Sequence, residues 1–226
     1  MNLIQAALAE NRSTLSEYES KQILKDYGIP ISAEILVNNE KDLIAATAKI
    51  GFPLVIKGCS RGITHKTEKG LIRVDVRNEK EALTALAEIM GALNVSDKSV
   101  LIQQMVKGQR ELVVGMTRDA QLGPCVMFGL GGIFTEVLND IVFRVAPLEI
   151  EDALEMMKEI KGRKILDAVR GMVSADKHML AEILVAVGRI GLENEMIKEI
   201  DINPIILTAG KPVAVDALIV LEGNRI

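Results

Sequence analysis

Hydrophobic positions recur at helical spacing in several parts of the chain. In the two longest stretches, 79–93 and 176–192, apolar residues come every three or four positions, which places them on one face of an α-helix. Shorter stretches at 17–27, 41–50 and 149–160 share this character, and the last opens with acidic residues that suit a helix N-terminus. The pattern predicts a helix over each stretch.

Short β-type runs alternate with these helices in the first hundred residues, which is typical of an α/β arrangement. The runs cover 34–37, 54–58, 71–76 and 100–105. Further along, 110–117 and 123–128 flank a short turn, as in an antiparallel hairpin. Two more strands are predicted at 197–203 and 213–221.

The change from alternating elements to a hairpin predicts two lobes. We expect residues 1–105 to form an α/β lobe and residues 106–226 a second lobe with a mixed sheet. A crevice between two lobes is a common place for a small-molecule site.

Composition narrows the function classes. A formal net charge of −4 argues against general nucleic-acid binding, which needs a basic surface. Aromatic residues make up only 3% of the chain, so base-stacking platforms are not expected. Cys59 and Cys125 are interpreted as free thiols of a reducing compartment. Because no apolar stretch approaches the ~20 residues of a membrane span, we expect a cytoplasmic protein without membrane contact.

Lys57 and His65 are candidates for phosphate binding and for phosphoryl transfer, respectively. Lys57 ends an apolar strand, where its ammonium can meet a phosphate as a compact charge; a solvated surface lysine is the alternative. His65 lies in a polar, glycine-bounded and positively charged segment, 60–70. A neutral imidazole can take a phosphoryl group covalently. A solvated loop histidine remains the alternative.

A nucleotide could be held by the segment that follows the strand at 100–105. The backbone of Gln104, Met105 and Val106 can offer hydrogen bonds to an adenine edge, and Glu111 can hold ribose hydroxyls. An interlobe linker is the alternative. Gly131 and Gly132 allow a backbone to approach an anion closely. Arg144, further along the chain, is a candidate catalytic residue together with His65. The alternative is an arginine of a strand that has no catalytic role.

A set of oxygen ligands occurs near the end of the chain. On a strand, residues 199, 201 and 203 share one face, so Glu199, Asp201 and Asn203 project together. Asp216 interrupts an apolar run, and burying its charge alone would be costly. Hard oxygen ligands on neighbouring strands suit Mg²⁺ carried by a nucleotide. Unrelated surface acids are the alternative.

Taken in order, these motifs resemble the ATP-grasp superfamily, and within it the β subunit of ADP-forming acetyl-CoA synthetases (acetate–CoA ligases). The similarity runs from about residue 9 to 221. The matching stretches are 51–57, 63–66, 111–116, 123–134, 143–148, 201–204 and 214–217.

The resemblance implies an ATP-grasp fold of α/β (α+β) class, with two lobes and a nucleotide site between them. It implies that Lys57 binds ATP phosphates, that Glu111 binds the nucleotide, and that Asn203 and Asp216 hold Mg²⁺. His65 would carry a phosphoryl group between ADP and a histidine of a CoA-binding α subunit, in an α₂β₂ assembly.

Other members of the superfamily leave alternatives open. A regulatory ATP-grasp module of a CoA-dependent protein acetyltransferase system would not need His65, and the β subunit of succinate–CoA ligase shares the fold. Many ATP-grasp proteins have Glu at the position of Gln104, so the resemblance is weaker at the predicted adenine contact.

Overall fold

The computed structural model describes residues 3–59, 70–94, 98–132, 140–168 and 171–222. His65 lies outside these ranges. The chain forms two compact units, one of residues 32–105 and one that joins residues 1–31 to 106–226. This differs from the expected lobe of residues 1–105.

The amino-terminal residues belong with the second unit because they bind its strands through the backbone. Thr14 pairs with Val220 and Ile31 pairs with Ala214 in isolated β-bridges. Periodicity along the sequence does not report such long-range pairing, so it could not assign residues 1–31.

The unit of residues 32–105 is an antiparallel sheet with two helices. Its strands stand in the order β1-β4-β2-β3. In chain order the elements are β1 (Glu34–Val37), α3 (Glu40–Ile50), β2 (Leu54–Gly58), β3 (Ile72–Val76), α4 (Glu79–Ala92) and β4 (Val100–Gln104). Here α1 (Leu3–Ala9) and α2 (Glu17–Asp26) precede β1 and belong to the other unit.

Both helices of this unit begin where the sequence supplies a cap. The side chain of Asn39 accepts the Asp42 N–H at 3.0 Å, and that of Asn78 accepts the Glu81 N–H at 3.0 Å. Such a cap contributes about 1 kcal/mol to the stability of a helix. Apolar residues of α3 and α4 then pack with β2 and β4 around one core, which includes Leu43, Ile56, Leu86, Ile89 and Ile102.

The other unit is built on a six-stranded antiparallel sheet. Its strands stand in the order β10-β8-β5-β6-β7, and β9 also pairs with β8. The strands are β5 (Glu111–Asp119), β6 (Gly123–Leu130), β7 (Ile141–Val145), β8 (Ile197–Thr208), β9 (Lys211–Ala214) and β10 (Leu218–Leu221). Helices α5 (Ile150–Glu159) and α6 (Lys177–Glu193) pack on the sheet, and a 3₁₀ turn spans Arg163–Leu166.

Two of the predicted strands differ from the structure by more than two residues at an end or are interrupted. Strand β8 continues through Pro204 to Thr208, because a bulge accommodates the proline: two residues, Asn203 and Pro204, lie opposite the single residue Val113. The predicted strand at 213–221 is split into β9 and β10 by a link at residues 215–217. Within the described ranges, no helix is both long and apolar enough to cross a membrane.

Candidate functional site

One face of the six-stranded sheet is covered by helices and the other carries the polar candidates. Leu112 and Val114 of β5 lie in the core with α5 and α6. Because side chains alternate along a strand, Glu111 and Gly115 lie on the opposite face. Gly115 pairs with Asp201 of β8, so Asp201 shares that face. We call it the open face.

Three carboxylates crowd the open face beside β8. The pKa of Asp201 is raised to about 6, mainly because burial disfavours the charged carboxylate, and also because the negative charges of Glu199 and Asp216 lie nearby. Asp216 lies in the link between β9 and β10, where its Oδ1 accepts the Ala217 N–H at 2.9 Å. A cation would relieve this concentration of negative charge, so the carboxylates of Asp201 and Asp216 fit a divalent metal ion.

Asn203 is exposed at the bulge of β8, next to the same link. The Val215 N–H donates to the Pro204 carbonyl at 3.2 Å, which ties the bulge to the residue before Asp216. The Asn203–Pro204 peptide bond is cis. In the described part of the chain, no group of three His, Cys, Asp or Glu side chains is placed to hold a metal on its own. The protein thus offers a partial ligand set, of the kind that an ion carried by a nucleotide needs.

Glu111 is held by the two glycines that follow β6. The Gly131 N–H donates to the Glu111 carbonyl at 2.8 Å. A Cβ atom on Gly131 would lie 2.9 Å from the backbone of Glu111 and Leu112, and one on Gly132 would lie 2.6 Å from Glu111 Oε2. Gly132 also has φ of +65°, which favours glycine. The two glycines therefore let the chain pass directly over the Glu111 carboxylate.

Lys57 lies in the other unit, on the sheet face turned away from α3 and α4. Its neighbours Leu54 and Ile56 are in the core, and the alternation of β2 puts Lys57 and Val55 on the other face. Lys57 is buried, with 6% of its surface exposed. A solvated surface lysine is thereby excluded.

The adenine candidates are only partly available for a ligand. The Gln104 N–H donates to Ala33 O at 2.8 Å and the Met105 N–H donates to Pro53 O at 3.2 Å, so these two donors are used within the protein. The prediction of an adenine contact then depends on the carbonyl groups of this segment and on Val106.

Sequence reasoning missed Gln103. It is 2% exposed and pairs with Val55, which places its side chain on the same sheet face as Lys57. The signal in the sequence that could have identified Gln103 is a polar glutamine within an otherwise apolar strand. The neighbouring Gln104 pairs with Leu54 and so projects to the opposite face.

Arg144 is not brought together with the acidic residues. It pairs with Val126, a core residue, and so projects to the helix-covered face of the sheet. There it forms an ion pair with Glu159 at the end of α5. We therefore assign Arg144 to the packing of α5, and not to the phosphoryl group as expected from the sequence.

Arg110, which precedes Glu111 in the chain, was also missed, and it anchors the start of β5. Its guanidinium is buried and donates to the carbonyls of Ile165 and Val173 at 2.9 and 2.6 Å, and more weakly to that of Asp167. These bonds fasten the segment after α5 to the start of β5. The partners are more than fifty positions away in sequence, so no local pattern could reveal them.

The raised pKa of Asp201 predicts a dependence of stability on pH. An ordinary aspartate has a pKa of 3.8, so the folded chain binds more protons than the unfolded chain from about pH 4 to about pH 6. The free energy of unfolding therefore falls as pH rises through that interval. We expect Asp201→Asn to be more stable than the native chain above pH 6 without metal, by on the order of 1–2 kcal/mol.

Urea unfolding in EDTA at pH 4.5 and at pH 7.5 measures this difference. The difference in stability between the two proteins should be smaller at pH 4.5 than at pH 7.5. A variant no more stable than the native chain at pH 7.5 would show that Asp201 is not held in an unfavourable charged state.

Comparison with known proteins adds to this geometry. Residues 6–221 match the model of a family described as the ATP-grasp domain. The chain is 46% identical to subunit β of acetate–CoA ligase (ADP-forming) I from Pyrococcus furiosus, over 97% of this chain and 96% of that protein.

Solved structures are similar over the same extent. Acetyl-coenzyme A synthetase 1 of Ca. Korarchaeum cryptofilum, in complex with coenzyme A, Ca-AMPCP and HgCl+, is 40% identical with a TM-score of 0.92. The match covers 97% of this chain and 98% of that one. A second structure of that enzyme, with coenzyme A and Mg-AMPPCP, has its phosphohistidine segment pointing towards the nucleotide binding site. It is 39% identical with a TM-score of 0.86, and the match again covers 97% of this chain and 98% of that one.

Proposed function

This chain belongs to the ATP-grasp family, and from that premise we propose that it is the nucleotide-binding β subunit of an ADP-forming acyl-CoA synthetase. The observation that carries the proposal is the set of Asp201, Asn203 and Asp216 beside the open face, in a chain similar over nearly its whole length to such a subunit. The overall reaction is acyl-CoA + phosphate + ADP = acid + CoA + ATP.

The residues of the site take distinct parts in this reaction. Lys57 binds the phosphates of the nucleotide and Glu111 accepts hydrogen bonds from its ribose. Asp201, Asn203 and Asp216 hold Mg²⁺, which neutralises charge on the phosphates when it is bound. Val106 and the carbonyls of Gln104 and Met105 contact the adenine.

The chemical step is a phosphoryl transfer between His65 and ADP. The N–P bond of phosphorylated His65 breaks while a β-phosphate oxygen of ADP forms the new O–P bond, and the product is ATP with a free imidazole. The reverse transfer phosphorylates His65. Such transfers depend mainly on positioning and on charge stabilisation, which the acidic and basic residues above supply.

The phosphoryl group reaches His65 from a partner. We propose a CoA-binding α subunit, in an α₂β₂ complex, on which the acyl-CoA reacts with phosphate. The name of the Pyrococcus furiosus relative as a subunit β supports a complex of unlike chains.

The division of labour predicts what the isolated chain can do. Purified alone, it should bind ADP more tightly with Mg²⁺ than with EDTA, yet form no ATP from acetyl-CoA, phosphate and ADP. Co-expression with the α subunit should restore ATP formation. Equilibrium binding of a fluorescent ADP and a coupled ATP assay measure the two properties. Full turnover by the isolated chain, or no binding of ADP, would contradict the proposal.

A further inference from the structure

A buried ion pair lies on helix α2, outside the residues discussed so far. Lys21 Nζ and Glu17 Oε1 are 2.8 Å apart, and their side chains are 0% and 1% exposed. Removing two charges from water is costly, and such a pair adds little to stability compared with apolar residues of the same size. The pair therefore calls for an explanation other than stability.

Helix α2 is fixed against the strand that follows Asp216. Before the helix, the Leu15 N–H donates to Ile219 O at 3.0 Å. Within it, Ser20 Oγ accepts the Ile219 N–H at 3.1 Å. Both contacts hold β10, so the side chain of Lys21 has a set direction relative to the link at residues 215–217.

Lys21 reaches that link directly. Its Nζ donates to the Val215 carbonyl at 3.5 Å. This hydrogen bond is long, but it joins a full charge to a carbonyl dipole, and such an interaction is stronger in a buried environment than in water. The Val215 carbonyl belongs to the peptide unit that joins Val215 to Asp216. On its other side, the Val215 N–H donates to Pro204 O at 3.2 Å, next to Asn203.

Val215 is thus held at both ends, by Lys21 and by the bulge of β8. Its position decides how far Asp216 lies from Asn203 and Asp201. Glu17 in turn fixes the Lys21 ammonium through a charged hydrogen bond.

We propose that Lys21, oriented by Glu17, is a positioning residue for the metal ligands, and sets the place of Asp216 relative to Asn203. The inference rests on the proposed function, since it deepens the account of the same Mg²⁺ site. Residues that orient metal ligands in this way affect metal affinity without touching the ion.

The test replaces the pair by neutral side chains of similar volume, Glu17→Gln with Lys21→Met in one protein. Changing both residues avoids an unpaired buried charge, which could prevent folding. The matched control is Arg12→Met with Glu19→Gln. Arg12 and Glu19 also form an ion pair at 2.8 Å, at the start of the same helix.

The readout is the Mg²⁺ concentration that gives half of the Mg²⁺-dependent gain in affinity for a fluorescent ADP. In the Glu17/Lys21 variant it should rise about tenfold or more. The affinity measured in EDTA should stay at the native value, and the control should keep the native Mg²⁺ midpoint even where its melting temperature falls. If the substitutions only lowered the stability of the fold, the affinity for ADP would fall in EDTA as well as with Mg²⁺.

Two other outcomes overturn the inference and can be told apart. If the native chain shows the Mg²⁺ effect and the Glu17/Lys21 variant keeps its midpoint within about twofold, well below the loss expected for a positioning residue, the pair is structural only. If the native chain itself shows no Mg²⁺ effect, the proposed metal site fails and the inference fails with it.

Discussion

Replacing Asp216 by asparagine is expected to lower the rate of ATP formation by the assembled enzyme about 10²–10³-fold, as when a preorganised charge-stabilising group is removed. Asp216 is half-buried and lies close enough to Asp201 to raise the pKa of that carboxyl. Asparagine keeps the size and one oxygen of the side chain but removes the negative charge that attracts a divalent cation. The variant should therefore fold normally and lose its response to Mg²⁺.

A matched control uses Glu199, the third carboxylate of this group. Glu199 is exposed, and it acts on Asp201 only through its charge. Glu199→Gln should leave turnover near the native value. Turnover and its dependence on Mg²⁺ are measured for both variants with the α subunit present. Equal losses in the two variants would mean that Asp216 is not a metal ligand and that only the total charge matters.

Replacing His65 by alanine is expected to abolish turnover of the assembled enzyme, by at least about 10³-fold, because the nucleophile of a covalent relay has no substitute. Binding of Mg-ADP should be unaffected, since Lys57, Glu111 and the acidic residues are intact. Steady-state ATP formation and equilibrium ADP binding separate the two effects.

The chain offers a suitable control for this variant in its only other histidine. His178 is exposed on α6, where it lies 3.4 Å from Glu182. His178→Ala should retain native turnover. If His65→Ala were equally active, the covalent relay would be excluded, and a regulatory nucleotide-binding module would become the better account of the chain.

Local patterns in the sequence were enough to predict most elements of the fold. The helix predicted at 79–93 is observed as α4, and that at 176–192 as α6, because three- and four-residue spacing is a property of the helix itself. The alternation of strand β8 also predicted that Glu199, Asp201 and Asn203 share a face.

Features that depend on distant partners could not be predicted in this way. Residues 1–31 join the second unit through backbone bonds to β9 and β10. Arg144 projects to the helix-covered face because of its register with Val126, which its own sequence does not disclose. The buried position of Lys21 depends likewise on the packing of α2 against β10. Each of these facts comes from contacts between segments far apart in the chain.

The most direct test of the proposed function is the transfer of phosphate from ATP labelled on its γ-phosphate to this chain, in complex with the α subunit and Mg²⁺. The account predicts acid-labile label on the native chain and on His178→Ala, and none on His65→Ala. If the native chain binds the nucleotide but takes no label, even with CoA substrates present, or if His65→Ala is labelled as strongly as the native chain, the proposed phosphohistidine relay is wrong.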